Sequence, residues 1–246
     1  MNKNGIDDRA RTLIAGGSSG MGLALAGQLL AQGQEVIVVG RSDKRLAQAA
    51  ESLGDQPNLQ MIAADITNES DIARLFDQTG KLNHIVSTAA DITGAYALLP
   101  DLDLAAARRA MDSKIIGPLL LAKYGARRLA PGGSITFTSG IAAYRPAPKG
   151  SVVAAINGAL ESLTYALAIE LAPLRVNVVS PGWVDTPIWE SIAGSDKTER
   201  LAAMAKRLLV GRIGAAEDIA QAIASLMHNP FITGTLLHVD GGQRLI

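Results

Sequence analysis

Short apolar runs rich in β-branched residues alternate with helix-patterned segments along the whole chain. RTLIAG (residues 11–16) leads into a helical stretch over about 20–31, EVIVVG (35–40) into KRLAQAAESL, and LQMIAA (59–64) into DIARLFDQT. HIVSTA (84–89) is followed by a loop and a long helix over about 104–128, and SITFTS (134–139) by a helix over about 152–171. VNVVS (176–180) precedes helical segments near 199–209 and 217–227, and LLHVD (236–240) closes the series. The strand runs are continuously apolar rather than alternating, as in a parallel sheet covered by helices on both faces. Strict alternation therefore predicts an α/β fold, a doubly wound parallel sheet of about seven strands with right-handed crossovers. No linker or repeat interrupts residues 1–246, so one domain is expected.

A chain of 246 residues, 48% of them hydrophobic, is long enough to bury one sizeable core. It has no cysteine, which excludes disulfides, thiolate catalysis and cysteine-ligated metals. Its three histidines, His84, His228 and His238, are well separated, so no metal site is expected. The 23 basic and 23 acidic residues are spread along the chain, and neither nucleic acid nor a membrane is an expected partner. The opening MNKNGIDDRA lacks the apolar core of a signal peptide, and no apolar run reads as long enough to span a bilayer. A cytoplasmic protein is the expectation.

In a doubly wound sheet, ligands bind beyond the carboxyl ends of the strands. The first such end carries AGGSSGMG (15–22), which opens a helix. Gly16 allows a tight turn, Gly20 lets backbone approach a pyrophosphate, and Gly22 lets the helix pack closely on the sheet. In this position the pattern predicts dinucleotide binding.

The spacing G-x-x-x-G-x-G resembles the short-chain dehydrogenase/reductase family, whose fold is of the Rossmann type. The resemblance covers nearly the whole chain. Asp65 in AADIT matches the family's adenine-contacting aspartate, with Ile66 beside it. NVVSPGWVDTPIW (177–189) looks like the segment after the sixth strand, where Pro181, Gly182, Val184 and Thr186 would hold the nicotinamide end. GRIGAAEDIAQAIASL and ITGTLLHVDGG match the C-terminal helix and strand. The resemblance implies cofactor contacts from Gly16, Ser18, Ser19, Gly20, Met21, Asp65, Ile66 and Ala89.

The end of the second strand selects the cofactor. An NAD site needs a carboxylate there for the ribose hydroxyls. This chain has Gly40, then Arg41 and Ser42. Glycine leaves room, and Arg41 offers a fork of donors to a 2′-phosphate, with Ser18 and Ser19 adding hydroxyls. NADP(H) is the predicted cofactor; the alternative reading of Arg41 is a solvated surface charge.

At the catalytic positions the resemblance fails. The family uses a tyrosine as proton donor or acceptor, a lysine one helical turn later, a serine on the fifth strand and an asparagine on the preceding long helix. Ser139 ends SITFTS in the serine's place. Aligning INGALESLTYALAIEL on its small residues puts Val153 at the tyrosine and Asn157 at the lysine. In MDSKIIGPLL, Gly117 sets a register that puts Lys114 where the asparagine belongs. After the fourth strand the family's Asn-Asn-Ala-Gly is Ser87, Thr88, Ala89 and Ala90. Lysine and asparagine have traded helices, so Lys114 is expected to bind the nicotinamide ribose with Asn157 as neutral partner. The alternative is that Lys114 snorkels to solvent.

Substitute acids are Tyr144, in the loop after Ser139, and Tyr96; both have the alternative reading of packing at a pocket rim. Arg145 offers an anchor for an anionic substrate or a solvent-facing charge. Tyr124 and Tyr165 read as packing residues. Trp183 and Trp189 read as shaping a substrate lid, with an oligomer contact equally open for Trp189. Three functions remain open: an NADP(H)-dependent oxidoreductase acting on a small carbonyl, quinone or enone, a catalytically silent NADP(H)-binding sensor or partner subunit, and a non-redox isomerase or lyase. A homodimer or homotetramer is implied by the resemblance.

Overall fold

The computed structural model describes residues 10–246, so the opening segment read as lacking a leader core lies almost entirely outside the described residues. The strands are β1 (Arg11–Ala15), β2 (Glu35–Gly40), β3 (Leu59–Ala63), β4 (Leu82–Ser87), β5 (Leu129–Thr138), β6 (Arg175–Pro181) and β7 (Leu236–Val239). They form one seven-stranded sheet in the order β3-β2-β1-β4-β5-β6-β7, and every pair is parallel. The order reverses direction between β1 and β4, and the crevice expected at such a switch lies above their carboxyl ends.

Alternate residues of each strand serve different cores. Leu13, Ala15, Ile37 and Val39 join Phe76, Leu121 and Leu160 on one face, whereas Ile14, Val36 and Val38 join Leu25, Leu29 and Ile223 on the other. The first face is covered by α3 (Glu69–Thr79), α5 (Gly117–Gly125) and α6 (Ser151–Glu170). The second is covered by α1 (Gly20–Ala31), α2 (Asp43–Leu53) and α9 (Ala216–His228). A third, smaller cluster, built from Ile92, Ala107, Ala110, Val152, Val153 and Ile156, lies under the loop after β4.

The long helix expected over 104–128 is interrupted. It consists of α4 (Leu104–Met111), a π turn (Asp112–Ile116), α5 and a final 3₁₀ turn (Ala126–Arg128). Pro118 lacks an N–H, and the Gly117 N–H reaches back five residues to the Asp112 carbonyl. A side chain on Gly117 would have to displace Ile66, because a Cβ there would lie 2.6 Å from Ile66 Cδ1.

One segment corrects the expectation about membranes. By length and composition α6, with 20 residues and a mean hydropathy of 1.5, is apolar enough to cross a bilayer. It is instead a core helix laid on the sheet, and its buried face carries Asn157, Glu161 and Thr164 among its apolar residues. After β6 come α7 (Ile188–Ala193) and α8 (Lys197–Ala205), the region read as a lid.

Candidate active site

The glycine loop is pressed against the end of β4. Gly16 has φ +83°, and a Cβ there would lie 2.6 Å from Ala89 N. A Cβ on Gly22 would meet the Gly16 carbonyl oxygen at 2.4 Å and Thr88 Oγ1 at 2.6 Å. Thr88 donates its hydroxyl to the Gly16 carbonyl at 3.1 Å, so the threonine clamps the loop. Ser19 stands at the N-cap of α1 and makes no capping bond, which leaves the first-turn N–H groups and the positive end of the helix for an anion. Met21 packs its side chain into the α1–α9 core.

At the end of β2 a Cβ on Gly40 would sit 3.3 Å from Ser18 Oγ. Arg41, with its side chain 55% exposed, donates from Nη2 to Asp91 Oδ2 at 3.0 Å. Ser42 accepts from Arg45 N at 3.3 Å and caps α2. At the end of β3, Asp65 Oδ1 accepts from the Thr67 amide and hydroxyl at 2.9 and 2.8 Å. Ile66 is buried against Gly117.

Lys114 projects inward from the π turn. It is 6% exposed, and its ammonium donates to the Thr138 carbonyl and, at 3.4 Å, to the Ser139 carbonyl. Burial brings it down to about 8, opposed by the charge of Glu161. The alternative in which Lys114 snorkels to solvent is thereby overturned.

Ser139 is buried at the end of β5, and its hydroxyl donates to Glu161 Oε1 at 2.5 Å. The neighbouring glycine is the residue that faces Asn157, since a Cβ on Gly140 would lie 3.0 Å from Asn157 Nδ2. Asn157 is 3% exposed, and its Oδ1 has no hydrogen-bond partner among the described residues. Val153, one turn earlier, is buried in the third apolar cluster, with Tyr96 packed against it. Burial raises Tyr96, against the charge of Arg200.

Tyr144 is 41% exposed and donates its hydroxyl to Glu161 Oε2 at 2.5 Å, while its ring meets His238 edge-on at 4.7 Å. Burial and then the bond to Glu161 hold its hydroxyl well above the ordinary range. Arg145 is tied to the Arg244 carbonyl at 3.1 Å. Glu161 was not singled out in the sequence; its one signal is the four-residue spacing that places Val153, Asn157 and Glu161 on one face of α6.

The end of β6 completes the crevice. Pro181 and Thr186 are buried, and Val184 forms a parallel bridge with Gly214. A Cβ on Gly182 would meet Asp240 Cα at 2.7 Å. Gly20 of the phosphate loop abuts Thr186, 3.4 Å from the position of its own missing Cβ. Trp189 is buried within this chain, donates to the Val184 carbonyl at 2.9 Å and packs on Trp183 at 4.5 Å.

A family described as enoyl-(acyl carrier protein) reductase matches residues 15–244. The chain is 34% identical over 248 residues to the short-chain dehydrogenase/reductase malC of Malbranchea aurantiaca, covering 95% of this chain and 94% of that one. This chain is a short-chain dehydrogenase/reductase. Its fold superposes on a structure described as MalC reductase/Diels-Alderase from the same organism with a TM-score of 0.89, at 33% identity over 97% of this chain and 98% of that one. A small-chain dehydrogenase in complex with NADPH matches with a TM-score of 0.83, at 34% identity over 97% of this chain and all (100%) of that one. Oxidoreductases of this family bind nicotinamide cofactors, and the residues here fit one. Gly16 and Gly22 admit no side chain in the glycine loop, the uncapped first turn of α1 offers N–H groups to a pyrophosphate, and the orphaned Asn157 oxygen suits a ribose hydroxyl.

Proposed function

We propose that this short-chain dehydrogenase/reductase uses NADP(H) to transfer hydride to or from a small carbonyl, quinone or enone substrate by an altered proton path. The observation that carries the reading is Lys114, whose ammonium is turned inward onto the end of β5. With Asn157 it holds the nicotinamide ribose, replacing the lysine the family places on α6. Residues 1–246 form one cofactor-binding domain in this reading.

The remaining contacts follow the crevice. Gly16, Ser18, Ser19, Gly20 and Met21 hold the pyrophosphate, mainly through backbone. Asp65, Ile66 and Ala89 hold the adenosine half, and Pro181, Gly182, Val184 and Thr186 the nicotinamide. Arg41, with Ser18 and Ser42, takes the 2′-phosphate. An exposed ion pair such as Arg41–Asp91 contributes only about 0–1 kcal/mol. Hydrogen bonds to a charged group contribute about 1.5–3 kcal/mol each, so the phosphate wins the arginine. The structure described in complex with NADPH supports this choice of cofactor.

When bound, the cofactor supplies the hydride. Ser139 orients the substrate and Tyr144 serves as the hydroxyl that connects the site to solvent. With Val153 at the family's acid position, about 10²–10⁴-fold of rate is forfeited, which favours substrates that need little proton help. A second reading has one specific support. Val153 lies in an apolar wall beside the crevice, and the similar MalC is described as a reductase/Diels-Alderase. A cyclisation that needs no proton transfer suits such a wall.

The test is a fluorescence titration with NADPH and with NADH, followed by nicotinamide absorbance with carbonyl, quinone and enone acceptors. Micromolar NADPH binding, weaker NADH binding and acceptor-dependent turnover are expected. Binding without turnover on any acceptor returns the silent-sensor reading, and no binding of either nucleotide refutes both. We place the protein in the cytoplasm, as a homodimer or homotetramer. Ile116, Leu119, Tyr165 and Ile169 leave apolar surface on the π turn, α5 and α6, and sedimentation reads the state directly.

A further inference from the structure

Glu161 has no role in that function, yet it is a buried acid with both oxygens engaged. It is 6% exposed, and its two oxygens each accept one short bond, from Ser139 Oγ and from Tyr144 OH, both at 2.5 Å. Ser139 Oγ in turn accepts the Gly140 N–H at 2.5 Å. A buried carboxylate is costly unless it is hydrogen-bonded and faces a compensating charge.

The titratable groups around it come from five segments. Lys114 approaches from the π turn, Tyr144 from the loop before α6, and Tyr165 stands one turn further along α6. His238 of β7 lies edge-on to Tyr144, and burial followed by the Arg244 charge lowers it. Arg244 is 46% exposed and sits 3.9 Å from Asp240. Among the described residues, the buried cation facing Glu161 is therefore Lys114. Both residues grip one corner: Lys114 holds the carbonyls of Thr138 and Ser139, and Glu161 holds the Ser139 hydroxyl. Gly140, next in the chain, is the residue that meets Asn157.

We propose that Glu161 is the positioning residue of this site: its carboxylate fixes the Ser139–Gly140 corner and balances the buried charge of Lys114, keeping the ammonium on that corner beside Asn157. The proposal rests on the reading of Lys114 as the cation of the cofactor site. Tyr144 and Ser139 then act as the donors that hold the carboxylate, and the surface loop, the end of β5 and the π turn move as one charged unit.

The test is the pH dependence of NADPH affinity, read by fluorescence titration. In the wild type, affinity falls as pH rises through about 8, where Lys114 loses its proton. Lys114→Met abolishes that step. Glu161→Gln moves it down by about one unit, the lower end of what a neighbouring opposite charge does. Glu161→Asp, which keeps the charge, holds the midpoint near the wild-type value. A step that vanishes in Lys114→Met but stays in place in Glu161→Gln overturns the role of Glu161. Should Lys114→Met bind NADPH with a wild-type profile, the cofactor reading of Lys114 fails instead, and a stability cycle decides the pairing. Removing one buried charge strands the other, so Glu161→Gln with Lys114→Met unfolds at a higher temperature than Glu161→Gln alone. The same comparison serves if Glu161→Gln does not fold, and a double variant no more stable than the single one overturns the proposal.

Discussion

Arg41 Nη2 lies 3.0 Å from Asp91 Oδ2, joining the end of β2 to the segment after β4 over the intervening β1. The cation assigned to the 2′-phosphate is thus already held by an acid that a bound nucleotide must displace. Because the pair is exposed, its contribution of up to about 1 kcal/mol corresponds to about fivefold in affinity. Asp91→Asn is expected to tighten NADPH binding by up to that factor. Arg41→Gln is expected to weaken NADPH about tenfold and leave NADH unchanged. Equal losses for the two nucleotides show that Arg41 does not read the phosphate.

Rebuilding the family's tyrosine and lysine on α6 is expected to fail in isolation. Val153 is packed among Ile92, Ala107, Ala110 and Ile156, so Val153→Tyr overfills that cluster at a cost of about 1–3 kcal/mol. Asn157→Lys places a second buried cation next to the corner that Lys114 already occupies. The pair of substitutions should lower the thermal midpoint, and adding Lys114→Asn should restore part of it. Ketone reduction with NADPH faster than that of the wild type is expected only in the triple variant. A competent double variant with an unchanged midpoint argues against crowding at Lys114.

Lys114 also gives the protein a stability signature in alkali. Folding lowers its proton affinity from an ordinary 10.5 to about 8. Between those values the unfolded chain holds a proton that the folded one has released, so the linkage slope is positive. Stability relative to Lys114→Met should be constant below about pH 8 and rise through the window up to about 10.5. Chemical denaturation of both proteins over that range measures it, and parallel profiles refute a buried ammonium.

Arg175, at the start of β6, ties α9 to the sheet. Its guanidinium is buried and donates to the carbonyls of Leu226 and Met227 at 2.6 Å and of Ile232 at 3.2 Å, closing the last turn of α9. Arg175→Met leaves those carbonyls without their donor at a cost of about 2–4 kcal/mol. In a chain of this size the thermal midpoint should drop by roughly 5–15 °C. NADPH affinity below the transition should not change, and calorimetry with titration separates the two effects.

β2 was legible because both of its faces are buried: the EVIVVG run was read over 35–40 and β2 occupies Glu35–Gly40. The glycine loop was legible because each small residue answers a steric demand, as Gly16 and Gly22 do against Ala89 and Thr88. The break in the long helix was not, since helical periodicity persists on both sides and only the Gly117–Pro118 step marks it. Glu161 escaped notice because a single acid on a helix ordinarily marks its solvent face. What buries it is contributed by Ser139 and Lys114, which reach it from elements distant in the chain. The Arg41–Asp91 bridge has the same character, with its members 50 residues apart.

The π turn at Asp112–Ile116 has a consequence for how such a site can change. A backbone irregularity, fixed by Pro118 and by the contact of Ile66 with Gly117, points residue 114 into the crevice. The residues that mark the irregularity, Gly117 and Pro118, lie outside position 114. The position therefore acts as a socket. Exchanging its occupant resets the charge at the end of β5, while Leu120 and Leu121 keep their places against the sheet. The charge in the crevice and the seating of this segment on the sheet are thus carried by different residues.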